Sequence, residues 1–311
     1  MEIDGKPQVD RRNLLWGLAT GVATAVVFGS GGFFLVYNGR GDMGWVLFLA
    51  VPIVTGFAVS QVARKRNIII ASLVIGLIFC SAILIAVGVE GWVCVIMSAP
   101  LLAVGLALGA MFGWLLREML IKKMRKPGTL NLFILIVLPF FLVGANSAER
   151  KLSSGPRAET FSDTLIVDAP PESVWNELKS MDNVAASKGF LMKIGLPVPV
   201  SCKTEGEGVG GKRTCYFESG FIEERITEWK YPNSMKFEIT ASEVPGRPWL
   251  TFRDASYEIQ RNGDHTIVTR HTTIISRLSP AWYWRRLEGI GVHTEHQYLF
   301  EAVASKLKGR K

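Results

Sequence analysis

Two hydrophobic patterns divide the chain near residue 148. Before that point, five apolar stretches, at about 14–37, 44–62, 68–88, 92–116 and 130–146, contain no charged residue. A bilayer crossing takes roughly 20 apolar residues, a run that a water-soluble core helix rarely reaches without a charge. Each stretch therefore predicts a membrane-spanning helix, the fifth being the shortest. Trp16, Tyr37, Trp45, Trp92 and Trp114 fall at stretch ends, where amphipathic rings favour the headgroup layer. After 148 the runs shorten. Thr160–Val167 predicts a strand, and Ala169-Pro170-Pro171-Glu172-Ser173-Val174-Trp175 opens a short helix that ends near Lys179, with Val174, Trp175 and Leu178 on one face. A second short helical or irregular piece covers about 182–193. Six strands are expected at about 198–205, 211–219, 221–230, 234–242, 251–261 and 265–276, joined by tight turns at Gly206–Gly211 and Asn262-Gly263. The last element is a long helix over about 281–308, whose buried stripe is Val292, His296, Leu299, Phe300, Val303 and Leu307.

The expected architecture is thus an N-terminal all-α transmembrane bundle of five helices over 1–148, a polar linker at 149–159, and an α+β domain from 160 to 311. A sheet with one apolar face needs a cover, and the long helix is the element available to supply it. Gly105, Gly109 and Gly113 give the fourth stretch a smooth face for close helix packing. Pro52 and Pro100 are among the mid-stretch prolines, and with no charge in any stretch, packing is preferred over a transport path. Lys122–Ala148 also has the outline of a signal peptide, a basic start before an apolar run and small residues. An ordinary last span is the preferred reading.

Charge sets the orientation. The chain carries 35 Lys+Arg against 27 Asp+Glu. Basic residues cluster in the N-terminal tail (Lys6, Arg11, Arg12), after the second stretch (Arg64, Lys65, Arg66) and after the fourth (Arg117, Lys122, Lys123, Arg125, Lys126), while the alternate loops hold only Arg40. Basic loops stay cytoplasmic, so five crossings from a cytoplasmic N-terminus place the C-terminal domain outside, periplasmic or extracellular, with a bacterial inner membrane as the expected location. Residues 152–311 hold 21 Lys+Arg and 20 Asp+Glu. The excess positive charge belongs to the loops, and a nucleic-acid partner loses its support.

Val167-Asp168-Ala169-Pro170-Pro171-Glu172-Ser173-Val174-Trp175, the glycine-rich Gly206–Arg213 segment, and Glu224-Arg225-Ile226-Thr227-Glu228-Trp229 followed by Tyr231-Pro232 together resemble the START-like (SRPBCC) superfamily, in its polyketide cyclase/dehydrase and lipid-transport branch. The resemblance covers about 160–308 and implies a helix-grip fold, a curved antiparallel sheet around the long C-terminal helix. It also implies an apolar cavity for a hydrophobic or lipid-like small molecule, with Trp175, Phe190, Phe217, Ile226, Phe237, Tyr257, His271 and His296 as its expected lining, and no cofactor. The expected partners are the bilayer and that small molecule. The alternatives are a cyclase- or dehydratase-like enzyme using His271 or His296 as acid/base, and a structural module that contacts other envelope proteins.

Few residues carry other chemistry. Cys202 and Cys215 flank the glycine-rich hairpin and face each other across it, which predicts a disulfide on the oxidising side of the membrane. Cys80 and Cys94 read as small apolar residues within spans. His293 and His296 are three apart on the long helix and share a face. A metal site would need a third ligand, for which His271 is the candidate. The preferred reading has no metal, with His296 a hydrogen-bonded group in the cavity and His293 exposed. Alternation places Glu224, Ile226 and Glu228 on one strand face, expected to be solvated and salt-bridged. Trp249, Trp282, Tyr283, Trp284, Arg285 and Arg286 form an aromatic-basic group at the start of the long helix, suited to a cavity mouth, a lipid surface or plain packing.

Overall fold

A computed structural model of the chain describes residues 11–37, 43–63, 65–88, 90–119, 127–153, 155–244 and 249–309. The chain separates into two units, Met1–Ser154 and Gly155–Lys311.

In the first unit, α1 (Arg11–Tyr37) is followed by a π-helical turn (Val46–Ala50) that runs into α2 (Val51–Val62), and then by α3 (Arg66–Ala86), α4 (Trp92–Met119) and α5 (Pro127–Leu152). Each expected span coincides with a helix. Among the described residues, three (Arg12–Tyr37, Arg66–Ala86 and Trp92–Met119) are long and apolar enough to cross a membrane, and Val46–Val62 is a shorter apolar helix. The basic run at 122–126, the start of the signal-like pattern, lies outside the described residues, and α5 continues through Ala145–Ala148 without a break.

Helices α2 and α4 pack backbone to backbone through the expected glycine face. A Cβ at Gly109 would sit 1.9 Å from the Ile53 carbonyl oxygen, and one at Gly56 would sit 2.1 Å from that of Leu106. Any side chain there would force the helices apart, so the glycines set the separation. Charged residues of other helices close both ends of α2. The Glu149 carboxylate accepts from the Trp45 and Val46 amides at 2.5 and 3.1 Å, and Arg117 donates to the Ser60 and Ala63 carbonyls at 2.8 and 3.0 Å. Each sits on the matching pole of the helix dipole and satisfies groups that helix ends leave unpaired.

The second unit runs β1 (Arg157–Val167), α6 (Pro171–Lys179), α7 (Phe190–Lys193), β2 (Pro199–Glu205), β3 (Lys212–Phe217), β4 (Gly220–Lys230), β5 (Ser234–Ser242), β6 (Leu250–Asn262), β7 (His265–Ser276) and α8 (Ala281–Lys308). The strands form one antiparallel sheet in the order β1-β7-β6-β5-β4-β3-β2. With α5 reaching Leu152 and β1 starting at Arg157, the connector shrinks to 153–156. The β6–β7 turn is Gly263-Asp264, one residue later than the Asn-Gly dipeptide, because Asn262 pairs with His265 and Gly263 takes the positive φ of 61°. All six residues of the expected α8 stripe are buried. Four of them, Leu299, Phe300, Val303 and Leu307, meet Trp175, Leu178, Met235, Phe237, Tyr257, Ile259 and Val268 in one core, where each large side chain contributes about 1.5–3 kcal/mol over exposure.

One expectation fails at β4. Its pairing with β5 slips between Ile226 and Glu228, a bulge that reverses the phase of alternation. Glu224 and Ile226 therefore face the core, and so does Trp229 beyond the bulge, packed edge-on to Trp175 at 4.8 Å. Glu228 stays on the outside with Ser234 and Lys230.

Cys202 and Cys215 are directly paired across β2 and β3 and form a disulfide spanning 13 residues. Replacing both with serine is expected to lower stability by about 2–3 kcal/mol, read as an earlier denaturant midpoint for the 155–311 unit. An unchanged midpoint would show that the bond does not constrain the chain.

Candidate ligand cavity

The inner face of the sheet carries charged side chains on β3, β4 and β7 among its apolar ones. Arg213 (β3) and Arg270 (β7) occupy inward positions of their strands. Arg213 donates to Glu224 at 2.9 Å and to the Leu178 carbonyl at 3.2 Å, and its guanidinium lies 4.6 Å from the centre of the Phe237 ring. Arg270 donates to Glu295 of α8 at 3.0 Å and to the Tyr257 hydroxyl at 2.7 Å. Burial raises the Glu295 carboxyl above the ordinary carboxylate range; Arg270 opposes this and Glu224 adds to it. Buried charges persist only when paired and hydrogen-bonded, and both pairs satisfy that condition.

Between these pairs and the apolar wall lies a cavity of about 80 Å³. Its lining includes Phe217, Ile222, Ala255, Tyr257 and Leu299, together with Arg213, Glu224, Arg270 and Glu295. The Nε–H groups of both arginines are buried with no protein partner. The cavity thus combines an apolar wall with two unspent cationic donors.

Of the expected lining, Phe217 and Tyr257 face the cavity. Trp175, Ile226 and Phe237 are buried but packed in the core around it. Phe190 is 68% exposed on α7 and takes no part. His271 lies on the opposite face of the sheet. It pairs in register with Ser162, whose hydroxyl is 2.6 Å from its Nδ1, and its strand neighbours Arg270 and Thr272 point the other way. His296 faces inward and is fully buried, but outside the lining, its Nδ1 2.6 Å from Asp163 Oδ2 and its Nε2 2.7 Å from Thr272 Oγ1. Burial, with Arg270 nearby, pushes its pKa down to about 3 against the opposing pull of Asp163. His293, with a 45% exposed side chain, reaches the same Asp163 oxygen at 2.6 Å.

Reading the sequence missed the charged half of the cavity. Its signal was faint, a charge at an inward position between apolar ones: Glu224 between Ile222 and Ile226, and Arg270 between Val268 and Thr272. Of the aromatic-basic group, Trp249 and Trp284 are buried and Trp282 is exposed.

Solved structures similar to this chain include a protein of Nitrosospira multiformis (15% identity, 49% of this chain and 100% of that one, TM-score 0.35) and Ara h 8.0201 (13%, 49% and 99%, 0.35). A third is a Thalictrum flavum norcoclaurine synthase point mutant in complex with a transition-state analogue (12%, 51% and 99%, 0.36). Similarity at this level carries no ligand or activity over to this chain. No protein-family model and no curated protein matches it.

Removing one member of a buried pair should cost more than removing both. Arg213→Met strands the Glu224 carboxylate and is expected to destabilise the unit by about 3–5 kcal/mol. Arg213→Met with Glu224→Leu should cost clearly less than the sum of the single changes, measured by a denaturant double-mutant cycle. Additive losses would mean that the two side chains are not coupled.

Proposed function

We propose that this is a membrane-anchored binding protein whose C-terminal domain holds a small amphipathic molecule between its sheet and α8. The supporting observation is the pairing of an apolar wall with the buried, unpartnered Nε–H groups of Arg213 and Arg270. Ligand pockets are mostly apolar with a few convergent polar groups. Here those groups are cationic donors, and the ligand they fit has an apolar body and a carboxylate or other strong acceptor. At about 80 Å³ the cavity holds a few waters and falls well short of the roughly 300–1,000 Å³ of drug-sized sites. A lipid-like ligand therefore has to widen it on entry.

The raised Glu295 carboxyl supports a second reading, an acid–base enzyme. Its proton carrier would be Glu295, which lines the cavity, rather than His271 or His296.

Native mass spectrometry of the full-length protein, followed by solvent extraction, is expected to find a bound amphipathic compound. Ala255→Leu, which fills the cavity from β6, should cut its occupancy at least about tenfold while the fold is retained, since even one displaced favourable contact of about 1.4 kcal/mol has that effect. A clean apo mass that stays unchanged after exposure to membrane lipid extract would overturn the binding reading in favour of a protein-contact module.

The same proposal places the N-terminus in the cytoplasm and the C-terminal domain outside, supported by the loop charges. An alkaline phosphatase fusion after Lys311 is expected to be active and a fusion near Lys65 inactive. The reverse pattern would refute this orientation.

A further inference from the structure

We propose that Asp163, His293 and His296 form a binding site for one zinc-class divalent transition ion. Asp163 comes from the inner face of β1, and the two histidines lie one turn apart on α8, which packs over that strand. Their donor atoms all fall within 4.8 Å of one another, and a single oxygen, Asp163 Oδ2, lies 2.6 Å from both Nδ1 atoms. On a tetrahedral ion with bonds of about 2.0–2.1 Å the donor atoms sit roughly 3.3 Å apart. Loading the site therefore requires the 2.6 Å contacts to open by about 0.7 Å and the widest donor separation to close by up to about 1.5 Å, which the half-exposed His293 can supply by side-chain rotation.

The surroundings suit an ion in three ways. First, His296 is fully buried with both ring nitrogens held by side chains, which fixes its ring toward Asp163. Second, Thr272 Oγ1 holds His296 Nε2 at 2.7 Å. A hydroxyl both donates and accepts. Without an ion it donates to Nε2 while Nδ1–H binds Asp163; with an ion on Nδ1 it accepts from Nε2–H. Either tautomer keeps its hydrogen bond, and the second is the outer-shell contact that orients ligating histidines. Third, the site is walled on one side by Phe161, edge-on to the His293 ring, and is open on the other through His293 itself, which gives the ion a path in.

Charge is partly offset. Arg270 is the cation that opposes metal, but it is bonded to Glu295, whose other oxygen is 4.0 Å from His296 Nε2. Asp163 supplies the anion. Two neutral imidazoles and a carboxylate form a donor set for zinc, cobalt or nickel rather than for calcium or magnesium. Three protein ligands leave a fourth position for water or an incoming donor atom. The site also abuts the cavity, because Thr272 and Glu295 belong to both.

The test is titration of the full-length, chelator-stripped protein with Zn²⁺ and with Co²⁺. The expected result is saturable uptake of one ion per chain, with visible cobalt bands of a four-coordinate nitrogen/oxygen site. Affinity should fall at least about tenfold in both His293→Ala and Asp163→Asn. It should be unchanged in His265→Ala, where the histidine is exposed and paired with Asp168 elsewhere. Should either loss variant fail to fold, His293→Cys keeps a ligand at that position and is expected to add a thiolate-to-cobalt charge-transfer band. No saturable uptake, equal affinity in folded His293→Ala, a thiolate band already present in the wild type from Cys80 or Cys94, or no such band in His293→Cys would each overturn the proposal.

Discussion

The C-terminal unit depends on matching the buried polar groups of α8 to those of the sheet. The helix turns Glu288, Glu295 and His296 inward along with its apolar stripe. Glu288 meets Arg157 of β1 and Ser276 of β7, both at 2.5 Å; Glu295 meets Arg270; His296 meets Asp163 and Thr272. Apolar packing alone would tolerate small slides and rotations of the helix. A shift of one residue turns a helix by about 100° and would leave carboxylates against aliphatic side chains, where an uncompensated buried charge costs about 3–5 kcal/mol. The polar contacts therefore fix the register, and the apolar stripe supplies the burial.

The same matching explains the location of the cavity. Paired guanidinium and carboxylate groups need specific distances and cannot close onto one another as methyl groups do. Arg213 and Arg270 each spend their terminal nitrogens on a carboxylate and one further acceptor, leaving each Nε–H buried without a protein partner. Apolar packing ends where this cluster begins, and the cavity occupies that boundary. A ligand with both characters fits there, while a purely aliphatic one would leave the donors unsatisfied.

How much of this was legible in the sequence follows from how local each signal is. The strands, the glycine-rich hairpin and the buried stripe of α8 depend on period-2 and period-3.6 patterns over a few residues, and they stand close to where those patterns put them. The Cys202–Cys215 bond was legible because hairpin symmetry sets its register. The outward facing of His271 follows from strand parity, but only once its pairing with Ser162 is known. The shared face of Glu224, Ile226 and Glu228 was misread because the bulge after Ile226 turns Glu228 to the other side, and no residue type announces a bulge. The Arg270–Glu295 pair joins β7 to α8 and had no local signature. The glycine face of α4 was legible, whereas its partner surface at Gly56 and Ile53 needed the structure.

In the membrane unit the open quantity is parity, and it turns on α2. With its π turn this helix covers 17 residues, roughly 26 Å of rise against a hydrocarbon core of roughly 30 Å. A short helix can cross if its exposed end groups are satisfied, because unpaired N–H and C=O groups are what the bilayer penalises. Glu149 and Arg117 satisfy both ends from neighbouring helices. The loop charges favour the same answer. If α2 crosses along with the other four helices, eleven basic residues of the N-terminal tail and loops fall on one side and Arg40 alone on the other. If it does not, Arg64, Lys65 and Arg66 and the basic residues of 117–126, which share a side because α3 and α4 both cross between them, fall opposite Lys6, Arg11 and Arg12 and join Arg40, splitting the basic residues between the two sides against the rule that otherwise orders them. The capped ends of α2 and the loop charges thus both support the five-crossing orientation proposed above.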